Sequence, residues 1–136
     1  MARLMSVAFT EQAVVERRKT VTRRKGWWLD GRGRRILRAG DRMTLCRKVM
    51  GRKPGEPLVR LAEVEVVKIS RIPLYYVTVP GELVKEGFPE LEFCPAGSYY
   101  GGIEFVRRYF APQGVDWHDD VTRIEWRYLD DEAADG

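Results

Sequence analysis

The feature that most constrains the fold is the shortness of the segments between the strand-like stretches of the chain. Alternation of apolar and polar side chains predicts strands over residues 4–9, 20–24, 42–49, 58–69 and 121–129. The segments with helical spacing are also short, and they lie over residues 10–18, 80–86 and 103–110. None of these helices is long enough to cover a parallel sheet, which excludes a doubly wound α/β fold. The pattern favours a mixed α+β, mainly β fold, a single β-barrel with short flanking helices.

The longest predicted strand changes the face of its apolar side chains partway along. Ala62, Val64 and Val66 share one face, whereas Val67 and Ile69 fall on the other. One extra residue near Val66 and Val67 would bring both sets to the same side. Such β-bulges are common where a sheet curls, so the sequence predicts a bulge here and a barrel-like curvature.

The length of the chain bounds its organisation. At about 100–200 residues per domain, 136 residues indicate one domain, which we place over residues 1–129. The acidic tail, residues 130–136, is predicted to be disordered. No run approaches the roughly 18 apolar residues of a membrane helix, and the N-terminal apolar stretch is too short for a signal peptide. We therefore expect a cytoplasmic location and no membrane partner.

Cysteine and histidine usage excludes several kinds of site. Cys46 and Cys94 are far apart and lack the paired spacing of a zinc site, so we expect no metal, no disulfide framework and no cofactor. The single histidine, His118, lies in a polar turn, which favours a solvated loop residue over a catalytic base.

Charge is distributed unevenly along the chain. Residues 1–60 carry a net charge of +12 and residues 61–136 a net charge of −8, although the whole chain carries only +4. A basic half indicates a partner that bears phosphate, such as RNA, DNA or a nucleotide. The alternative is that the basic and acidic segments are neighbours in the fold and neutralise each other.

The basic segment over residues 17–24 carries the most chemical information. Planar guanidinium groups, one ammonium group and short hydroxyl groups together suit an anion. The candidate binding residues are Arg17, Arg18, Lys19, Thr20, Thr22, Arg23 and Arg24. On a strand Thr20, Thr22 and Arg24 would share one face. The alternative is a solvated basic strand that resists edge-to-edge pairing.

A second basic segment follows, and it begins with two tryptophans. Residues 26–40 form a predicted loop without regular structure, a length that is often functional. We expect one indole of the pair to be buried and the other to be available for stacking on a base. The candidate nucleic-acid contacts in this loop are Trp27, Trp28, Arg32, Arg34, Arg35 and Arg38.

The motif Lys19-Thr20-Val21-Thr22-x-Arg24, placed just after a short helix, resembles the signature of ASCH domains. The turn at Gly40-Asp41, the helix that ends at Gly87 and the final strand 121–126 also resemble that family, including its members in actinobacterial genomes and phages. The resemblance implies a single PUA-like (ASCH) β-barrel. The sequence departs from the family pattern at two places. Many members have glycine at the position of Arg17, and the basic insertion over residues 27–38 is an addition.

The resemblance also implies two activities. One ASCH branch hydrolyses N4-acetylcytidine with a lysine, a threonine and a glutamate, which correspond here to Lys19, Thr22 and Glu86. In that chemistry Lys19, with its pKa lowered by the neighbouring arginines, would take the proton of Thr22, and Glu86 would relay a proton to the leaving amine. Other members are proposed to bind RNA or to act as ribonucleases.

We therefore expect a nucleic-acid-binding domain that recognises RNA, a single strand or a modified nucleobase or nucleoside in a basic cleft. We also expect Lys19, Thr22 and Glu86 to converge on one pocket. The first alternative is an amidohydrolase that acts on N4-acetylcytidine or a related acylated base. The second is a non-catalytic module whose basic loop docks on an acidic protein. The sequence leaves the oligomeric state open.

Overall fold

A computed structural model describes residues 3–92 and 99–130. The strands are β1 (Arg3–Ser6), β2 (Val21–Arg24), β3 (Arg42–Cys46), β4 (Arg60–Pro73) and β5 (Asp120–Tyr128). The α-helices are α1 (Glu11–Val15), α2 (Glu82–Glu86), α3 (Pro89–Glu92) and α4 (Tyr100–Tyr109). Short 3₁₀ turns lie at Ala8–Thr10, Leu74–Thr78 and Ala111–Gln113. The structure is a mixed α+β domain, as the sequence predicts.

The five strands form one curled sheet in the order β1-β3-β4-β5-β2. β1 runs parallel to β3, and the other neighbours are antiparallel. The sequence predicts a closed barrel, but the described backbone pairing is that of a half-barrel with β1 and β2 at its edges. A side chain links these edges instead, because Arg24 Nη2 donates a hydrogen bond to the Ser6 carbonyl at 2.7 Å. The gap between the edges contributes to the pocket described below.

The predicted β-bulge is confirmed in β4. Val66 pairs with Trp126 and Lys68 pairs with Glu125, which leaves Val67 without a partner position on β5. Val67 is exposed, whereas Val66 and Ile69 both pack on the core under the sheet. The extra residue therefore brings Ile69 to the core face of Val66, whereas Val67, the bulged residue itself, stays outside the core, contrary to the expectation that it would join that face.

Two apolar clusters hold the fold together. The first lies against the sheet, and its largest fully buried side chain is Trp126. The second packs α2, α3 and α4 against the start of β5, and it includes Leu83, Phe88, Phe105 and Val121. The short helix α3 has no counterpart in the sequence prediction, because four residues are too few to show a helical period.

The helix α1 ends earlier than predicted, at a tight turn that contains Arg17. The backbone N–H of Arg18 donates to the Ala13 carbonyl and that of Arg17 to the Val14 carbonyl, at 2.7 and 2.9 Å. This is a Schellman turn, in which the residue after the cap adopts a left-handed conformation. Arg17 has φ of 64° and therefore occupies the left-handed position that glycine favours.

Two predictions concern residues outside the described part of the chain. Cys94 and residues 131–136 of the predicted disordered tail lie there. Asp130, which is described, accepts hydrogen bonds from Arg17. Of the helices in residues 3–92 and 99–130, none has the length and apolar character that crossing a membrane requires.

Candidate functional site

A pocket of about 410 Å³ opens between β2, the Ala8–Thr10 turn, α2 and α4. This volume lies within the range of about 300–1,000 Å³ that is typical of small-molecule sites. Its polar lining includes Lys19, Thr22, Arg23, Arg24 and Glu86, together with Lys25 and Arg108. Its aromatic lining comprises Phe9, Phe88, Phe105, Tyr109 and Phe110. Lys19, Thr22 and Glu86 therefore line one pocket, as the sequence predicts.

Lys19 is buried at the inner end of this pocket, where 3% of the residue is exposed. Its Nζ donates a hydrogen bond to the Glu86 carbonyl oxygen at 2.6 Å. Its own carbonyl accepts hydrogen bonds from Trp126 Nε1 and from the Tyr128 hydroxyl. The backbone of Lys19 is thus anchored from β5 and its ammonium group from α2.

The pKa of Lys19 is lowered from 10.5 to about 8. Burial is the main cause, the charges of Arg24 and Arg23 add to it, and the charge of Glu86 opposes it. The sequence argument predicts the direction but misidentifies the main cause, because it attributes the shift to like charge alone. The neutral amine of Lys19, which can accept a proton, is therefore formed at a lower pH than that of an ordinary lysine.

Thr22 and Arg24 point from β2 into the same pocket. The hydroxyl of Thr22 accepts a hydrogen bond from Arg24 Nε at 3.2 Å. Burial lowers the pKa of Arg24, and the charge of Glu86 opposes this effect. Since Arg24 occupies the acceptor side of the hydroxyl, the hydroxyl proton of Thr22 remains available for donation to a ligand or a base.

Glu86 is the most deeply buried carboxylate of the site, with 1% of the residue exposed. Its Oε1 accepts a hydrogen bond from the Arg23 backbone N–H at 3.1 Å. Its Oε2 has no hydrogen-bond partner among the described residues, and the Arg23 Nη1 atom lies 3.6 Å away. Because a buried acceptor without a hydrogen-bond donor is costly, the nearby charge of Arg23 provides the main compensation for Oε2.

The backbone turn after α2 holds Glu86 in place. Gly87 has φ of 96° and caps the helix in the left-handed conformation. A Cβ at Gly87 would lie 3.1 Å from side-chain atoms of Ala13 and of Thr10. The glycine stop that the sequence predicts therefore also permits the close approach of α2 to α1.

A buried ionic cluster next to the pocket was not predicted from the sequence. Arg23 and Arg123 are directly opposite each other on β2 and β5, an unfavourable pairing for like charges. Glu82 compensates both charges, with Oε1 2.5 Å from Arg23 Nη2 and 2.8 Å from Arg123 Nε. Burial raises the pKa of Glu82, but the hydrogen bonds and charges of the two arginines outweigh it and lower the pKa to about 2.

Three of the predicted binding residues in the basic segment 17–24 lie outside the pocket lining. Arg17 is held by Asp130 and by the Val14 carbonyl. Arg18 is exposed and pairs with Glu16. Thr20 precedes β2, where its backbone N–H donates to the Lys85 carbonyl at 2.9 Å. These three residues are therefore not brought into the pocket, and their contact with a ligand stays a prediction.

The loop over residues 26–40 is more ordered than the sequence predicts. A bridge pairs Leu29 with Arg35, and the Asp30 carboxylate accepts the backbone N–H groups of Arg32 and Arg34 at 2.8 and 3.0 Å. This aspartate turn closes a small hairpin. The backbone then returns to the core through Leu37, which is buried.

Both tryptophans of this hairpin are half-buried, so neither matches the expected pair of one buried and one free indole. Trp27 packs on the core under the sheet, with φ of 68°. The guanidinium carbon of Arg35 lies 3.6 Å from the centre of the Trp28 ring, which covers that face.

The remaining loop arginines, Arg32, Arg34 and Arg38, are exposed. We refer to them as the loop arginines. None of them lines the pocket, and within residues 3–92 and 99–130 none has a carboxylate within ion-pair distance.

The aromatic side of the pocket was also missed. Phe9 lies at its mouth with 82% of the residue exposed, and its ring centre is 5.5 Å from that of Tyr109 on α4. Phe88 and Phe105 continue this aromatic surface inward. These rings come from distant parts of the chain, so no local pattern connects them. No group of three or more His, Cys, Asp or Glu side chains in the described chain could hold a metal ion.

Comparisons with known proteins inform the fold. No protein-family model matches the sequence, and no curated protein matches it. The structure is similar to the crystal structure of protein EF3133 from Enterococcus faecalis, of the family DUF984, with a TM-score of 0.60 and 16% identity over 94% of this chain and 76% of that chain. It is also similar to an ASCH domain from Lactobacillus crispatus, with a TM-score of 0.50 and 9% identity over 94% of this chain and 80% of that chain. The chain therefore has an ASCH-like fold.

Proposed function

We propose that the pocket binds a nucleobase or nucleoside, either free or as part of an RNA strand. The observation that carries this proposal is the pocket lining, which combines the Glu86 carboxylate and the cations Lys19 and Arg24 with aromatic walls. A base needs a flat apolar contact for its face and polar partners for its edge. The pocket offers both, and the likeness in fold to an ASCH domain supports the same class of ligand.

The polar groups favour a base with an exocyclic amine. A carboxylate accepts a hydrogen bond from such an amine, as glutamate does from N4 of cytosine. Lys19 and Arg24 supply donors for the ring nitrogen and carbonyl of the same edge. Uracil presents an acceptor where cytosine presents the amine, and that acceptor would face the Glu86 carboxylate unfavourably.

Calorimetric titration with cytidine and uridine tests this proposal. We expect cytidine to bind more tightly than uridine, and Glu86→Gln to weaken cytidine binding about tenfold, the effect of losing one charged hydrogen bond of about 1.5 kcal/mol or more. Glu90→Gln is the matched control, because Glu90 is exposed on α3 and does not line the pocket. Equal affinities for the two nucleosides, or equal effects of the two variants, would contradict the proposal.

A second candidate function is hydrolysis of an N4-acylated cytosine. It is favoured by the lowered pKa of Lys19, about 8, and by the Thr22 hydroxyl in the same pocket. Neutral Lys19 would take the Thr22 proton as the hydroxyl oxygen attacks the acyl carbon. The C–N bond then breaks, the amine leaves with a proton relayed by Glu86, and water hydrolyses the acyl-threonine to the free acid.

Release of acetate from N4-acetylcytidine measures this activity. We expect Thr22→Val to abolish release and to keep the fold. Thr20→Val is the matched control, because Thr20 is two residues away and outside the pocket lining. If the unmodified protein releases no acetate at high concentration, hydrolysis is refuted and only the binding function remains.

We also propose that the loop arginines extend the site along a nucleic-acid strand. Their guanidinium groups carry charge that no described carboxylate neutralises. For each phosphate contact, the logarithm of the affinity for a single strand falls with the logarithm of the salt concentration with a slope of about −0.7. Three contacts predict about a twentyfold loss of affinity between 50 and 200 mM salt.

Changing the three loop arginines to alanine tests this extension. We expect the salt dependence to become shallower and the affinity to fall equally for all sequences, with binding of free cytidine unchanged. The control replaces three cations between the end of β3 and the start of β4. These are Arg52, Lys53 and Arg60, which also lie outside the pocket lining. Identical salt slopes for the two triple variants would refute a role for the loop.

A further inference from the structure

The charge of the pocket lining exceeds what a neutral nucleoside needs. Five cationic side chains line the pocket, and Glu86 is the one carboxylate among the lining residues. The cations are Lys19, Arg23, Arg24, Lys25 and Arg108. Glu82 compensates Arg23 from behind and Glu104 pairs with Arg108, which leaves the charges of Lys19, Arg24 and Lys25 against that of Glu86. An excess of this kind favours a ligand that carries its own negative charge.

Lys25 and Arg108 lie at the rim, which is the exposed edge of the pocket, and both retain free hydrogen-bond donors. Lys25 is exposed, and its Nζ donates to the Gln113 carbonyl at 3.0 Å, which engages the ammonium group without neutralising it. Arg108 donates through Nε to Glu104 at 2.9 Å, and the same carboxylate also binds Arg107. One carboxylate thus serves two guanidinium groups, and the Nη atoms of Arg108 remain available for a charged oxygen.

Phe9 completes the rim. A phenylalanine ring that is 82% exposed beside a cationic opening presents one apolar face to solvent, and its other contact is the Tyr109 ring. Phosphate groups do not bind to such a ring, but the sugar or base of a nucleotide does. The rim therefore places an aromatic contact and two cations around the same opening.

We propose that the pocket binds a phosphorylated nucleotide, with the phosphate held by Lys25 and Arg108 and the base or sugar in contact with Phe9. This inference rests on the proposed binding of a nucleobase and adds the phosphate as a recognised group. The phosphate comes either from a free mononucleotide or from the backbone of an RNA strand, and the chemistry at the rim is the same for both.

The affinities of cytidine, cytidine 5′-monophosphate and a short cytidine oligonucleotide test the inference. We expect the monophosphate to bind at least tenfold more tightly than cytidine at low salt, and this advantage to shrink as salt rises. If the monophosphate gains nothing but the oligonucleotide does, the phosphate is that of a strand. If neither phosphorylated ligand binds more tightly than cytidine, the inference is refuted while the proposed nucleobase site stands. If none of the three ligands binds, both are refuted.

Variants at the rim separate the two kinds of contact. Lys25→Met combined with Arg108→Gln should remove the advantage of the phosphorylated ligands, because it weakens them more than it weakens cytidine. The matched control combines Arg42→Gln with Lys68→Met, since neither of these exposed residues lines the pocket.

Phe9→Ala should weaken cytidine and its phosphorylated forms by the same factor, about fivefold or more, because it removes an aromatic contact and no charge. A loss of phosphate advantage in the control variant, or its retention after the changes at Lys25 and Arg108, would overturn the assignment of the phosphate to the rim.

Discussion

Glu82 stabilises the fold by compensating two buried arginines, so its neutralisation provides a sharp test of the structure. The side chain of Arg23 is fully buried and that of Arg123 is 10% exposed, and both lie against Glu82. Glu82→Gln keeps the shape of the side chain but removes its charge. Arg23 and Arg123 then face each other across β2 and β5 with only Glu86 and Glu125 nearby.

The size of the effect follows from two independent arguments. Removal of one partner from a buried ion pair costs about 3–5 kcal/mol, because the remaining charge stays buried. The lowering of the Glu82 pKa from 4.5 to about 2 corresponds to about 3 kcal/mol of stabilisation. Since the folded state favours the charged carboxylate, this stabilisation is fully present above pH 4.5 and is lost as the pH falls through about 2.

Urea denaturation across this pH range measures the prediction. At pH 7 we expect Glu82→Gln to lower the free energy of unfolding by about 3–5 kcal/mol, and the difference from the unmodified protein to shrink below pH 4.5. The control is Glu65→Gln, which affects a partly exposed ion pair with Arg127 and should cost less than about 1 kcal/mol. If the two variants lose equal stability at pH 7, or if the difference for Glu82 is independent of pH, the reasoning is refuted.

Two further predictions concern the lysine and a helix contact. The pKa of Lys19 is about 8 in the folded state and 10.5 in the unfolded state, so the unfolded state binds more protons between these two pH values. The free energy of unfolding should therefore rise by about 3 kcal/mol from pH 8 to pH 10.5 relative to that of Lys19→Met. A constant difference between the two proteins over this range would contradict the burial of a charged lysine. Gly101→Ala should lower the free energy of unfolding by about 1–3 kcal/mol or more, because the new Cβ would lie 1.7 Å from the Leu91 carbonyl oxygen. Gly26→Ala, where no atom lies within 4 Å of the Cβ position, should change it by less than about 0.5 kcal/mol, and equal thermal midpoints for the two variants would refute the contact.

Local patterns predicted the parts of the fold that depend on neighbours along the chain. The alternation of apolar residues located the strands, and the change of face at Val66 and Val67 located the bulge. The stop at Gly87 ended α2 as predicted, because a glycine there supplies the left-handed turn. The hairpin around Asp30 was missed, although its aspartate and glycines are turn residues, because a charged loop with no alternation shows no strand signal.

The sequence by itself determined the mixed α+β class, the strand segments and the motif in which Thr22 and Arg24 share one face of a strand. These features depend on periodicity and on side-chain chemistry within a few residues. Only the tertiary structure decided that Glu82 lies between Arg23 and Arg123, because that contact depends on the register of β2 against β5. The same holds for the half-barrel and for the aromatic rim.

The pocket shows why these features depend on the tertiary structure. Lys19 and the Glu86 carbonyl that it contacts are 67 positions apart in the chain, and they meet because α2 packs against α1 and covers the edge of β2. The burial that lowers the pKa of Lys19 comes from that packing. A sequence specifies which groups are available, whereas their solvation and distances arise only when segments far apart in the chain come into contact.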